Sequence, residues 1–206
     1  MSQYDRNAPL LESHLLDDPL AQFERWLADA SAAGVHEPTA MTVSTVGADG
    51  RPSARILLFK GFHEGGFTFY TNYESRKGAE LDASPFAALT FWWDRLERQV
   101  RVEGRAHRLP AAASDDYFRS RPRGSQLGAH ASAQSRVVAT RQELDARLAQ
   151  TQARFGEGPI PRPAHWGGYY LLPDALEFWQ GRIDRLHDRL VYRRSAPGWR
   201  IERLQP

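Results

Sequence analysis

At 206 residues, with 41% hydrophobic and 25% charged side chains, the chain has the make-up of one globular domain large enough to bury a real core. Its net charge of +2 is too small to imply nucleic acid by itself, its lack of cysteine excludes disulfides and thiolate-bound metals, and no apolar run approaches the roughly 20 residues of a membrane helix. The N-terminus MSQYDRNAPLLESHLLDD has no basic-then-apolar signal pattern, so the expected location is the cytoplasm.

The first expected element is a helix capped by Asp18, with Pro19 in its first turn and Leu20, Phe23, Leu27 and Ala30 repeating at helical spacing. From Ala40 the pattern becomes β-rich. AMTVSTV and SARILLFK are joined by GADGRP, whose Asp49-Gly50 signals a hairpin, and a turn at GFHEGG leads to GFTFYTN, so three consecutive strands are expected to form a meander. A short helix over Ser75 to Asp82 begins near Arg76 and Lys77, and strands follow at Phe86 to Trp93 and Arg98 to Leu109. In the second of these, Val100, Val102, Gly104 and Ala106 alternate with polar neighbours, giving one buried face. Ser114 is placed as the cap of a helix through Asp115, Asp116, Tyr117 and Phe118 that stops near Pro122, and SRPRGSQLG reads as a loop. Thr140 and Glu143 form a capping-box pattern before Leu144, Leu148 and Phe155, and Gly156 to Pro163 ends that helix. Four short strand-like runs close the chain: WGGYYLL, ALEFWQG, HDRLVYRR and GWRIERL. Strands at both ends with helices between them predict a mainly β, α+β fold, an antiparallel barrel with helices outside. Residues 1–17 are expected to be a flexible N-terminal segment and 18–206 a single domain.

The chemistry concentrates first in EFWQGRIDRLHDRLVYRR, between Glu177 and Arg194. Arg182, Arg185, Arg189, Arg193 and Arg194 keep their charge and offer forked donors that fit carboxylate or phosphate oxygens, and His187 among them can change protonation near neutral pH. A solvated edge strand is the alternative. Lysine is rare: of 27 basic residues only Lys60 and Lys77 are lysine, which singles out both positions, with chance retention at the surface as the plain alternative. There is no GxGxxG after a strand, no Walker A loop, no HExxH, no GxSxG and no EF-hand loop, and the seven histidines lack metal-ligand spacing, so no metal site is expected. Phosphate must then be held by side chains from scattered elements. Arg55, Lys60, Arg76, Lys77, Arg121, Arg123, Ser125, Ser135, Arg185 and Arg189 fall into more than one group, which points to two anionic ligands.

RILLFK at Arg55 to Lys60, FYTN, SRK at Ser75 to Lys77, LERQVRVEG, SRPR with GSQLG, Gln134-Ser135, HWGG, EFWQG and RLHDR occur in one order. In these motifs the chain closely resembles the pyridoxine (pyridoxamine) 5'-phosphate oxidase family from about Asp18 to its C-terminus. The resemblance implies an antiparallel, Greek-key-like FMN-binding split barrel that includes a C-terminal dimerisation and substrate region, and a homodimer with FMN at the subunit interface. It implies oxidation of pyridoxine or pyridoxamine 5'-phosphate to pyridoxal 5'-phosphate by molecular oxygen, through hydride transfer to the flavin, with hydrogen peroxide and, from the amine, ammonia released. It places FMN against Arg55, Ile56, Leu57, Leu58, Phe59, Lys60, Tyr70, Thr71, Arg76, Lys77, Gln99, Gln134, Ser135, Trp179 and Arg189. Substrate falls to Lys60, Tyr117, Arg121, Ser125, Arg185, Leu186 and His187, with Arg185 and His187 as the catalytic pair over the pyridine ring.

The family's basic, tyrosine-bearing N-terminal segment is reduced here to Tyr4 and Arg6, which bears on how the substrate is covered. A related FMN oxidase acting on another planar acid, as in phenazine biosynthesis, is the nearest alternative. A non-enzymatic flavin or pyridoxal phosphate carrier and a nucleic-acid binder are further ones. Neither nucleic acid nor membrane is an expected partner.

Overall fold

The structure, a computed structural model, describes Tyr4, residues 7–196 and residues 198–206. Arg6 lies outside the described residues. The described residues form five α-helices: α1 (Pro19–Ala32), α2 (Arg76–Ala83), α3 (Ala111–Ser120), α4 (Arg123–Ala131) and α5 (Arg141–Phe155). Its strands are β1 (Ala40–Val46), β2 (Pro52–Leu58), β3 (Phe62–His63), β4 (Gly66–Asn72), β5 (Phe86–Trp93), β6 (Arg98–Arg108), β7 (Trp166–Gln180), β8 (Asp188–Ser195) and β9 (Gly198–Arg203). The result is the expected mainly β architecture with flanking helices. Among the described residues no helix is long and apolar enough to cross a membrane.

All strand pairs are antiparallel, in the order β2-β1-β5-β6-β7-β4-β3, with β8 on β7 and β9 on β8. The expected three-strand meander is therefore corrected. β1 and β2 form the hairpin, but β4 leaves β2 and pairs with β7, Tyr70 opposite Gly168 and Asn72 opposite Trp166. The last two expected strands before the arginine-rich segment are one long β7. It runs through Pro173, which lacks a backbone donor and sits where the register shifts between Glu103 and Gly104. A side chain at Gly104 would put its Cβ 2.0 Å from the Leu172 carbonyl oxygen, so only glycine fits there.

α1 starts as expected, with the Asp18 carboxylate accepting from the Leu20 N–H at 2.9 Å and Pro19 at the first turn. It inserts Phe23 and Trp26 into the core, where the Phe23 ring meets Phe59, Phe67 and Phe91. Two helical expectations are corrected. Ser114 is not a cap: α3 begins at Ala111 behind Pro110, and the buried Ser114 hydroxyl accepts the Gly168 N–H from β7. SRPRGSQLG is not a loop either, since Arg123 onward forms α4. Burial of Leu127 against Phe118, Ile160 and Trp166 outweighs the unfavourable propensity of Gly124 and Gly128. The Thr140 hydroxyl caps α5 by accepting the Glu143 N–H.

Candidate functional site

The start of α2 collects one group of the expected site residues. Ser75 caps the helix by accepting the Gly78 N–H, and Gly78 lets it lie against the preceding turn, because a Cβ there would sit 1.9 Å from the Tyr73 carbonyl oxygen. This places Lys77 at the edge of the core, where its Nζ donates to Thr71 Oγ1 and Gln134 Oε1, both at 3.0 Å. Burial first, and then the charge of Arg55, bring the Lys77 pKa down to about 8. Arg55 reaches the same corner from β2, donating to Thr45 Oγ1 at 2.6 Å and to the Val43 carbonyl. Glu80, one turn along α2 from Arg76, takes an ion pair from Arg76 at 2.8 Å and one from Arg55 at 3.3 Å. Burial works against its charge, but hydrogen bonds from Ser53, Thr45, Arg76 and Arg55 hold its pKa at about 2. Two arginines thus share one buried carboxylate, whose charge Lys77 also feels.

Beside this corner is a cavity of about 330 Å³. Ile56, Leu57, Leu58 and Lys60 form one wall, Tyr70 and Thr71 of β4 another, and Tyr117, Arg121, Gln134 and Trp166 the rest. A second cavity of about 250 Å³ shares Arg121, Gln134 and Trp166 with it and adds Ser125 of α4. Tyr70, Tyr117 and Trp166 stack with their planes within 9° of parallel, and the Arg121 guanidinium lies 4.6 Å from the Trp166 ring. Arg121 Nη1 is buried with no hydrogen-bond partner among the described residues, and burial lowers the pKa of this arginine. A buried, unsatisfied guanidinium nitrogen beside a polar cavity is a place for an anion. Phe59 turns the opposite way, into the core, and Ser135 sits exposed after α4 with a left-handed backbone (φ 71°).

The remaining expected residues form a separate group on another part of the sheet. Gln99, Trp179 and Arg189 are direct register partners across β6, β7 and β8, and Trp92 of β5 continues the row. Arg189 is held by two hydrogen bonds to Glu177, at 2.7 and 3.0 Å. The segment between β7 and β8 is not strand but a tight turn, with Asp184 and Arg185 both left-handed (φ 58° and 62°). Non-glycine residues rarely adopt that conformation, and here it leaves Arg185 and Leu186 exposed at the tip. His187 packs on Trp179 with ring centroids 4.6 Å apart, and Tyr4 packs edge-on against both. His187 Nδ1 accepts the Arg182 N–H, which leaves the proton of the neutral ring on Nε2; burial and then the charge of Arg185 lower its pKa. Of the arginines without an assigned role, Arg182 and Arg193 pair with Asp188 and Glu202, and Arg194 covers the Trp199 ring.

Among the described residues no hydrogen bond, ion pair or ring contact joins the two groups, and no cluster of histidine, aspartate or glutamate is arranged to hold a metal. Sequence reasoning missed Trp92, Trp166, Glu80 and Glu177. Trp92 was signalled by alternation in FWW, whose outer residues Phe91 and Trp93 are buried and leave it facing out. Trp166 lay in the HWGG motif, but as a strand start rather than a cavity wall.

Residues 27–155 match the family model described as pyridoxamine 5'-phosphate oxidase, and residues 166–206 match the pyridoxine 5'-phosphate oxidase C-terminal dimerisation region. A pyridoxine/pyridoxamine 5'-phosphate oxidase of Burkholderia vietnamiensis is 59% identical over 97% of this chain and 94% of its own length. The oxidase of the same name from Thermosynechococcus vestitus is 57% identical over 98% and 95%. Among solved structures, PhzG from Burkholderia lata 383, in complex with tetrahydrophenazine-1-carboxylic acid, superposes with a TM-score of 0.91 at 32% identity, covering 98% of this chain and 100% of that one. An FMN-binding protein of Nostoc punctiforme superposes with a TM-score of 0.71 at 18% identity, covering 89% of this chain and 97% of that one, a likeness of fold alone. The fold is the split barrel expected from the motifs, and by sequence the chain belongs to the pyridoxamine 5'-phosphate oxidase family.

Proposed function

We propose that the protein oxidises pyridoxamine 5'-phosphate and pyridoxine 5'-phosphate to pyridoxal 5'-phosphate, in the cytoplasm, as a homodimer with FMN at the subunit interface. The observation that carries this reading is Arg121 Nη1, buried without a partner in the wall of a cavity that also holds Lys60, Tyr117 and an aromatic stack. That donor set suits a phosphate monoester attached to a flat ring. A second cationic corner at Arg55, Arg76 and Lys77 suits another phosphate, and the two together match a phosphorylated cofactor and a phosphorylated substrate.

Bound FMN would supply the hydride acceptor and a route for the electrons to molecular oxygen, with hydrogen peroxide as the reduced product. The protein's own part is placement and charge. Arg55, Arg76, Lys77, Gln134 and Ser135 would hold the cofactor phosphate end, and Ile56 to Lys60, Tyr70 and Thr71 its middle. Gln99, Trp179 and Arg189 would reach the same cofactor from the partner subunit, which explains why two groups of site residues lie apart in one chain. Lys60, Tyr117, Arg121 and Ser125 clamp the substrate phosphate. Arg185 and Leu186 close over the pyridine ring, with Arg185 stabilising developing negative charge and His187 donating from Nε2 to the ring substituent. With the amine, water and oxygen are consumed and ammonia and hydrogen peroxide leave with the aldehyde.

The test is to load the purified protein with FMN and supply pyridoxamine 5'-phosphate in air. Aldehyde and peroxide in equal amounts are expected. Activity on tetrahydrophenazine-1-carboxylic acid with none on the phosphorylated amine would favour the phenazine-type reading instead.

A further inference from the structure

The buried Glu80 is assigned no part by any of the motifs, yet it is the hub of the cationic corner. Its Oε2 accepts from the Thr45 hydroxyl at 2.5 Å and the Ser53 hydroxyl at 2.6 Å, and its Oε1 accepts from Arg76 Nε at 2.8 Å. Both hydroxyls have a second bond. Thr45 Oγ1 accepts from Arg55 Nη1 and Ser53 Oγ accepts from Arg55 Nη2. A hydroxyl that gives its one proton to a carboxylate must turn its lone pairs elsewhere, and here they turn to Arg55. The direct Glu80 to Arg55 contact is longer, at 3.3 Å, so the carboxylate acts on Arg55 mainly through the two hydroxyls. Arg55 Nε and both terminal nitrogens of Arg76 take no partner among the described residues.

We infer that Glu80 is a positioning residue which fixes Arg55 and Arg76 with their remaining donors free for the cofactor phosphate, so that it contributes to selection of FMN over its unphosphorylated parent, riboflavin. This rests on the reading of the corner as the cofactor phosphate site. Charge counting agrees: three cations and one carboxylate leave two positive charges for a phosphate dianion. Glu80 also favours the charged form of Lys77, which is faced by Arg55 from β2, Thr71 from β4 and Gln134 from the segment after α4.

The experiment measures dissociation constants of FMN and of riboflavin for the full-length apo-protein, wild type and variants, with thermal unfolding in parallel. Glu80→Gln keeps the volume but removes the charge and one acceptor. It is expected to weaken FMN about tenfold, the loss of one charge-assisted hydrogen bond, and to leave riboflavin unchanged. Ser53→Ala, which cuts one of the two relays and spares the carboxylate, is expected to weaken FMN roughly threefold with riboflavin again unchanged. The inference is overturned if FMN and riboflavin weaken together, as a merely structural role requires, if neither changes, or if FMN binds more tightly because the carboxylate was competing with it. Arg55→Met separates the two levels of the argument. If it keeps the wild-type preference for FMN over riboflavin, the corner is not the phosphate site. If it loses that preference while Glu80→Gln and Ser53→Ala keep it, the assignment of Glu80 alone fails.

Discussion

The two groups of site residues are built in opposite ways. At the start of α2, Arg55 and Arg76 are bound into a hydrogen-bonded network around Glu80, and Lys77 is hydrogen-bonded beside it to Thr71 and Gln134, on strands and a helix whose positions the core fixes. At the turn after β7, where Asp184 and Arg185 are both left-handed, Arg185 and Leu186 stand exposed, and Leu186 keeps 71% of its surface in solvent. Polar groups that are satisfied within one chain are already in position for a ligand, whereas an exposed leucine and arginine on a strained turn acquire their partners only on assembly or binding. Under the proposed function, the contrast assigns retention of the cofactor phosphate to the start of α2 and turnover to the turn after β7.

The largest expected effect lies in the second region. Arg185→Ala should lower turnover by about 100-fold or more, the usual scale for removing a group that meets developing charge, while flavin content after gel filtration stays at the wild-type level. Equal loss of flavin and activity would erase the contrast. In the first region Lys77→Met should weaken FMN roughly 30-fold with little change in turnover once the site is saturated. The same lysine sets a pH dependence. Its pKa in the free protein is lowered to about 8, and a phosphate favours its charged form, so FMN affinity should be level below that pH. Above it, affinity should fall by up to about tenfold per pH unit, because binding then requires proton uptake. A titration of FMN affinity from neutral to alkaline pH checks this, and the decline should vanish in Lys77→Met. The smallest effect belongs to Trp166→Leu, which removes the ring under Arg121. KM for the phosphorylated substrate should rise about fivefold, on the scale of a partly desolvated cation–π contact, with turnover and FMN content nearly unchanged.

Local features of this fold were legible because single residues dictate them. Asp18 and Pro19 start α1, Ser75 starts α2, and alternation from Val100 to Ala106 marks the buried face of β6. Pairing was not legible where it is non-local. Nothing in GFTFYTN says that β4 leaves β2 for β7, some 100 residues later in the chain. Glycine and proline misled in both directions. Pro173 does not end a strand because it sits at a register shift, and Gly124 and Gly128 do not prevent a helix whose Leu127 is buried. The motif residues of the site were legible one by one, but not their division into two groups. Arg76 and Glu80 have the spacing of an ordinary surface pair on a helix, and only the fold, by bringing Thr45, Ser53 and Arg55 to the same carboxylate, turns Glu80 into a hub.

In the proposed dimer the two regions of one chain serve different sites, so that each chain completes the other's. Mixing subunits tests this arrangement. Arg55→Met and Arg185→Ala chains, each nearly inactive under limiting FMN, are unfolded, mixed in equal amounts and refolded, and oxidation of pyridoxamine 5'-phosphate is assayed. Half the dimers should then be mixed, each with one site free of both substitutions, restoring about one quarter of wild-type activity. Activity no higher than the mean of the two parents would contradict the account, because it would mean that both residues act in the same subunit's site.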